Sequence, residues 1–536
     1  MASAAAPAPR RAREPVGLPP QDDVAMLPVE NNALLTIGIM VAALLQVLDS
    51  TIANVAIPHM QSSLGATADE VTWVLTSYIV ATAIAMPITG WLADRIGSRK
   101  LFIVSVAGFV LSSMLCGMAQ NIEEMVLFRA MQGVTGAFIS PLSQAAMIDT
   151  NKPSRQPQMM ALWGMGIMVG PILGPLIGGW LTENWNWRWV FYVNVPLGAV
   201  ALAIMMAELP SRPIARRKFD LAGFALVGIA LTSVQLLLDR GNHIDWFDSL
   251  ESWIYLFLAI STGWMALIHL TTTREPLFSR GLFRDTNFVI SLAFMVVIGV
   301  VMFATMALLP PMLQRLFGYG VLDTGWALMP RGVGTLMAMQ ATGWLIRRGF
   351  EPRILVAAGL AVAGLSLWEM SQWSLAVDYQ HVAMSGFIQG IGMGMVFIPL
   401  NASAFATLAP HLRTEGSSLI NLFRSIGSSI GISIVTALLA RNIQQAHSDL
   451  GQKITGSVTS MIDVTTADRF QSAGETVMRM LDLEVNRQAA MIAYIDNFHL
   501  MMWMSFAAIP LVLLMRKADL TTGPRSQTQD PADLPH

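Results

Sequence analysis

The sequence predicts an all-α polytopic membrane protein of fourteen transmembrane helices, arranged as six, two inserted and six, with both termini on one face. Three observations carry this. Of 536 residues, 54% are hydrophobic and only 13% are charged, about half the charged fraction usual in a soluble domain. Water therefore cannot solvate the folded surface, and lipid must. Apolar stretches of roughly 20 residues, the length that crosses the hydrocarbon, recur fourteen times. A Gly-Trp-Leu turn followed by Arg also appears twice, each time between two such stretches.

In chain order the stretches begin near Ala33, Val71, Leu101, Ile122, Met159, Trp189 and Leu221. They continue near Trp253, Phe288, Gly325, Ile354, Val382, Ser417 and Phe498. Residues 1–32 are rich in Ala, Pro and Arg and contain no apolar core. They read as a disordered cytoplasmic tail before an uncleaved first span, not as a signal peptide. Residues 517–536 are polar and read as a second disordered tail. The longest connection, 441–497, is expected to lie outside, with some helix over 466–490. It is either a surface for a periplasmic partner or a tolerated insertion.

Lysine and arginine set the orientation, because short cytoplasmic connections accumulate them. One set of connections holds Arg95, Arg99, Lys100, Lys152, Arg155, Arg212, Arg216, Arg217 and Lys218 in the first half alone. The short connections on the opposite side hold only Arg188, Arg240 and Arg315. Both termini are therefore expected in the cytoplasm of a multi-pass inner-membrane protein.

Gly90-Trp-Leu-Ala-Asp-Arg follows the second stretch and Gly343-Trp-Leu-Ile-Arg-Arg follows the tenth. A parallel duplication of six-helix halves explains both, an arrangement known in secondary transporters. The halves are 33–210 and 286–516, with 211–285 an inserted helix pair. The repeat is degenerate, since Arg347 stands where Asp94 stands in the first copy.

Ionisable groups inside a span are functional candidates, because lipid makes them expensive. Asp49 lies nine residues before Pro58 in the first stretch, about 13 Å along a helix. Arg129 lies about seven residues into the fourth, at about 10 Å from the same face. The depths match, so an Asp49–Arg129 pair is feasible if the two helices are neighbours. Gln46 shares the face of Asp49, while Gln132 and Ser140 share that of Arg129. Burial disfavours the carboxylate and a guanidinium favours it, so Asp49 reads either as a proton carrier or as half of a static ion pair. Asn54, Asn421, Arg331 and Arg424 complete the candidate cavity residues. The two arginines either meet substrate, pair with an acid such as Glu369 or Glu415, or snorkel to an interface.

The fifth stretch carries Gly166, Gly170, Gly174 and Gly178 on one stripe, with Pro171 and Pro175. Small residues let a neighbouring backbone approach closely, and the sharper reading is a seam that seals a leak path while the halves rock. Trp180, Trp185, Trp187 and Trp189 read as an interfacial belt. The 36 methionines either adapt a cavity to varied apolar ligands or fill lipid-facing surface.

Absences narrow the function. No Gly-Lys pair occurs, so no Walker A loop is built in. One cysteine, Cys116, and eight scattered histidines offer no metal-ligand spacing. No enzyme activity, cofactor, metal or nucleic-acid partner is expected. The partners are the bilayer, protons and a small amphipathic substrate.

Taken together, these segments resemble the major facilitator superfamily, in its fourteen-helix drug:proton antiporter branch of EmrB/QacA-like transporters. Leu48-Asp-Ser-Thr-Ile-Ala-Asn-Val-Ala-Ile-Pro58 looks like the first-helix signature of that branch. Gly90, Asp94, Arg95, Gly97 and Arg99 match the superfamily's motif A, and Leu127-Phe-Arg-Ala-Met-Gln-Gly-Val-Thr-Gly136 matches its motif B. Gly166, Gly170, Pro171, Gly174, Pro175 and Gly178 match its antiporter motif, and Trp187-Arg-Trp-Val-Phe-Tyr-Val-Asn-Val-Pro-Leu-Gly198 is typical of the branch. The resemblance spans about residues 33–516. It implies alternating access between two bundles, proton entry exchanged for drug exit, Asp49 and Arg129 as the coupling pair, and Asp94 and Arg95 as a cytoplasmic gate. It also implies work alongside a periplasmic adaptor and an outer-membrane channel. Arg347 departs from the motif and puts a symmetric second gate in doubt. A dedicated exporter of one siderophore, fatty acid or aromatic acid, a proton symporter, and a receptor or scaffold remain open.

Overall fold

The structure, a computed structural model, describes residues 25–515 apart from 153–154, 213, 215–217, 242–243, 245, 407 and 459–470. Most of the first predicted tail and all of the second lie outside the described residues.

Helices account for the described chain. The first six spans are α1 (Asn32–Leu64), α2 (Glu70–Ile96), α3 (Ser98–Met118), α4 (Ile122–Asp149), α5 (Gln156–Asn184) and α6 (Trp189–Glu208). Then come α7 (Leu221–Arg240), α8 (Leu250–Thr272) and α9 (Thr286–Leu316). The last five are α10 (Val321–Arg347), α11 (Pro352–Met370), α12 (Tyr379–Ala406), α13 (Arg413–Gln452) and α14 (Arg479–Leu514). Among the described residues, thirteen of these are long and apolar enough to cross a membrane. The exception is α10, which carries Asp323, Arg331 and Arg347 and packs on both α5 and α12.

The helices start a few residues before the apolar runs, because polar caps open them. Asn31 Oδ1 accepts from the Leu34 N–H at 3.1 Å to start α1, and Thr67 with Glu70 forms a capping box at the start of α2. Gly97, at φ +91°, is the hinge between α2 and α3, a conformation that side-chain-bearing residues rarely adopt.

The connection 441–497, expected to hold some helix over 466–490, is helix over 441–458 and 471–497. The helix of α13 runs unbroken over Arg413–Val458, 46 residues, about 69 Å and roughly twice the hydrocarbon thickness. The next begins at Gln471. Average hydropathy hides this, because the apolar residues form a narrow stripe: Val485, Ala489 and Ala493 are buried at four-residue spacing. Polar pairs, Asn442 to Asp496 and His447 to Asp482, tie the two helices outside the stripe.

Packing follows a doubled plan. α1 packs on α4, α5 and α6, while α2 and α3 pack on α4, and α3 on α6. Raising every number by eight reproduces the scheme: α9 on α12, α13 and α14, α10 and α11 on α12, and α11 on α14. The two sets meet where α5 runs along α10 and where α13 meets the Met86–Ile88 and Thr89–Ile96 part of α2. α7 packs on α8, α2 and α13, and α8 exposes Trp253, Phe257, Ile260 and Trp264. An apolar helix exposed on that scale requires lipid around it, which makes this a multi-pass membrane protein.

Candidate functional site

Burying a charge in lipid is tolerated only when it is paired and hydrogen-bonded. Asp49 on α1 meets both conditions. Its Oδ2 accepts from Arg129 Nη1 of α4 at 2.7 Å. Its Oδ1 accepts from Gln132 Nε2 at 2.9 Å and from Asn194 Nδ2 of α6 at 2.7 Å. Arg129 also donates through Nε to the Val74 carbonyl at 3.1 Å and through Nη1 to Gln132 Oε1 at 2.8 Å. Its guanidinium lies 4.4 Å from the centre of the Tyr78 ring. Asp49 is 1% exposed and Arg129 fully buried. Three helices, α1, α4 and α6, thus meet at one occluded carboxylate, and α2 is tied to it through Arg129. Gln46, one turn before Asp49 on α1, accepts from the Ser140 hydroxyl at 2.9 Å.

The glycine stripe of α5 faces α1, inside the first six-helix set. A Cβ at Gly170 would meet Val47 at 2.9 Å and the Leu48 nitrogen at 3.1 Å, and one at Gly174 would overlap Thr51. Gly166 faces Met40 and Gly178 faces Ile52. The stripe lets α5 press on the turns either side of Asp49. The seam between the two sets lies elsewhere, on the α10 side of α5, where Gly164 meets Met339 and Gly325 meets Leu176. Of the four tryptophans, Trp180, Trp185 and Trp189 are exposed as a belt requires. Trp187 is buried beneath Arg188, whose guanidinium lies 4.3 Å above its ring.

On the face that carries the start of α1, the two sets are tied shut. The Asp149 carboxylate, at the end of α4, pairs with Arg212 and, at 3.3 Å, with Arg413 of α13. Arg212 also donates to the Thr414 hydroxyl at 2.6 Å. One turn deeper, Gln144 donates to Asn401 Oδ1 at 2.6 Å and accepts from the Ser417 hydroxyl and from Asn421. The Ser418 hydroxyl donates to the Met86 carbonyl. The motif A turn borders this seal: Gly90 lies against Glu415, Arg95 lies over Trp91, and Arg99 donates to the Met206 carbonyl.

On the opposite face, the end of α7 lies between α2 and α13. Thr76 of α2 donates to the Asp239 carboxylate, Arg240 lies 5.1 Å from the Trp73 ring, and the Ser433 hydroxyl of α13 donates to the Leu238 carbonyl at 2.7 Å.

The remaining cavity candidates separate. Arg331 donates to the Met302 carbonyl at 3.0 Å, and Arg424 to Asn421 Oδ1 at 2.8 Å. Neither pairs with Glu369 or Glu415, which engage Ser385 and Ser279. Asn54 is exposed and bonds the Ser50 carbonyl of its own helix. Asn194, Tyr78, Gln144, Asp149 and Arg413 were not among the residues singled out from the sequence. Lone amides inside apolar runs, Asn194 after Tyr192-Val and Gln144 before Ala-Ala-Met, were the available signal.

Comparison with known proteins follows from this geometry. The family model of the Major Facilitator Superfamily matches residues 39–432. The chain is 32% identical to the multidrug export protein EmrB of Escherichia coli (strain K12) over 494 residues, 90% of this chain and 94% of that one. It is 35% identical to the Haemophilus influenzae protein of the same name over 439 residues, 80% and 84% of the two chains. It is 32% identical to the fatty acid resistance protein FarB of Neisseria gonorrhoeae over 508 residues, 91% and 97%. Among solved structures it resembles the human organic anion transporter MFSD10 (TETRAN), with a TM-score of 0.56 and 12% identity over 88% of this chain and 99% of that one. That last likeness is one of fold alone.

Proposed function

Because this chain belongs to the Major Facilitator Superfamily, we propose that it is a proton-coupled antiporter that exports amphipathic or hydrophobic toxic compounds across a bacterial inner membrane by alternating access. The single observation that carries the reading is the occluded Asp49 carboxylate, held by Arg129, Gln132 and Asn194. A proton on Asp49 cancels its charge and releases Arg129, so α1 and α4 lose their mutual grip. Binding of a proton is thereby linked to a rearrangement of the first bundle, and the likeness to multidrug export proteins supplies the direction and the cargo.

In this reading the face closed by Asp149, Arg212 and Arg413 is the cytoplasmic one, in keeping with the lysine and arginine bias of its connections. The two six-helix sets, 33–210 and 286–516, rock about the α5–α10 and α2–α13 seams, and α7 and α8 ride on the outside of the latter. Motif A and the antiporter glycines act as gate and hinge within the first set. Arg331, Asn421 and Arg424 border the substrate path. The helical extension of α13 and α14 is the docking surface for a periplasmic adaptor leading to an outer-membrane channel. One charge moving through ~150 mV supplies roughly 3.5 kcal/mol, which sustains a substrate gradient of about 300-fold.

The test is the purified protein in liposomes with an imposed pH gradient and a panel of dyes, acids and drugs. Proton-driven transport of several unrelated compounds is expected, and Asp49→Asn should abolish it; coupling close to wild type in that variant would sink the proposal. A second reading, a dedicated exporter of one acid, is favoured by the equal likeness to the fatty acid resistance protein FarB and by buried Arg331 and half-buried Arg424, whose hydrogen-bond partners among the described residues are not acids. Flux of a single acid from the panel would select it.

A further inference from the structure

The internal repeat extends from the turns into the buried centres of both halves. The spacing that carries Gly90-Trp-Leu onto Gly343-Trp-Leu also carries Tyr78 onto Arg331 and Thr82 onto Thr335. The geometry agrees: Thr82 donates to the Tyr78 carbonyl at 2.7 Å and Thr335 to the Arg331 carbonyl at 2.9 Å. On the facing helices, Gly133 of α4 lies against the Tyr78 carbonyl and Gly390 of α12 against the Arg331 carbonyl. Gln132 therefore corresponds to Gln389, and Arg129 to Gly386. Gln132 donates to Asp49 of α1, whereas Gln389 donates to Thr305 of α9 at 3.1 Å. Thr305 thus stands where Asp49 stands.

The two centres differ in charge. The first holds a guanidinium and a carboxylate in contact. The second holds a guanidinium, Arg331, contributed by the neighbouring helix, and has a hydroxyl in place of the acid. Arg331 is 9% exposed, and among the described residues its hydrogen-bond partner is one backbone carbonyl, that of Met302. Glu369 on α11 is engaged by Ser385. Gln389 is fully buried, yet its Oε1 has no partner among the described residues. Its N–H groups would serve a bound acceptor only if the amide turned over and gave up its bond to Thr305, whose hydroxyl already donates to the Val301 carbonyl at 2.6 Å. Gly386 faces the stem of Arg331, since a Cβ at that position would meet the Arg331 Cβ at 3.5 Å. A buried cation whose hydrogen-bond partner among the described residues is one backbone carbonyl calls for an anion.

We infer that Arg331 and Gln389, beside Thr305, form an anion subsite in the second half that takes the carboxylate head of an amphipathic substrate, completing there the charge balance that Asp49 completes in the first half. This rests on the export reading for its biological use, but not for its test. An acid bound at this site bonds Arg331 through its carboxylate, while its apolar tail lies among the side chains of the interior. A neutral analogue gains only the tail contacts.

The experiment is calorimetric titration of the full chain in nanodiscs, with empty nanodiscs subtracted, using octanoate and octanol near neutral pH and no proton gradient. The wild type should bind octanoate at least about tenfold more tightly than octanol, the size of one charge-assisted hydrogen bond. In Arg331→Gln the ratio should fall to about one. Thr305→Asp places the acid in the chain itself and should abolish the preference by the same amount, and Arg331→Lys should retain part of it. Should Arg331→Gln lose its monodisperse behaviour, the Thr305→Asp ratio decides. A wild type without preference, or a preference that survives both substitutions, overturns the subsite. Because binding is read at equilibrium, these outcomes are separate from the Asp49→Asn transport result that would overturn the export reading.

Discussion

Asn194 Nδ2 lies 2.7 Å from Asp49 Oδ1, so a helix from the far end of the first six-helix set reaches the same carboxylate oxygen as Gln132. Asn194 also donates to the Ser113 hydroxyl at 2.9 Å, which ties α3 and α6 to the charge state of α1.

Removing that donor weakens a hydrogen bond to a buried charge, worth about 1.5–3 kcal/mol. Asn194→Ala is expected to lower proton-driven transport in liposomes by about tenfold or more while the protein remains folded. Transport unaffected by the substitution would show that Asn194 is a packing residue.

The closed face depends on Asp149. Without this acid, Arg413, whose side chain is 6% exposed, loses its counter-charge, at a cost on the order of 3 kcal/mol to the closed arrangement. In a Cys116→Ser background carrying Ser403→Cys, a buried position on α12, a membrane-impermeant maleimide should react slowly. Adding Asp149→Ala should speed the reaction severalfold. Equal rates would mean that the Gln144 contacts close the face unaided.

Glycines on the α1–α5 seam are packed too tightly for a methyl group. Gly174→Ala places a Cβ on Thr51 and 2.8 Å from its Cβ atom, so about 1–3 kcal/mol of overpacking is expected, read as a Tm lower by a few degrees. Gly228→Ala on α7 is the control, since its nearest neighbour would be 3.8 Å away and alanine favours the helix. Identical melting of the two variants would refute the seam.

Hydroxyl donors from two helices hold the Arg240 end of α7. The double variant Thr76→Val with Ser433→Ala removes one hydroxyl donor from α2 and one from α13. Amide hydrogen exchange should then quicken near Leu238 and Asp239 while exchange in α1 stays slow. Unchanged exchange at α7 would show that apolar contact alone keeps it in place.

How far the sequence could be read depended on how local each feature is. The fourteen stretches were legible because crossing lipid demands continuous apolar residues, and this is a property of one segment at a time. Asp49 and Arg129 were legible for the same reason: a charge in such a segment stands out, and equal depth made the pair geometrically feasible. Within the 441–497 connection helix was expected only over 466–490, and the helical turns outside that range were not legible, since a stripe such as Val485, Ala489 and Ala493 is apolar only on the side that meets the other helix. The glycine stripe of α5 was legible as a close-packing surface, but the helix that fills it could not be named from α5 alone.

By itself, then, the amino-acid sequence determined a membrane-spanning helical chain, its repeat, and a buried acid and base at one depth. Only the tertiary structure decided that Asn194 completes the shell around Asp49, that Asp149 and Gln144 close one face, and that Arg331 occupies the counterpart of Tyr78. The physical reason is that a hydrogen-bonded partner in lipid comes from a neighbouring helix, and neighbours are chosen by packing surfaces far apart in the chain.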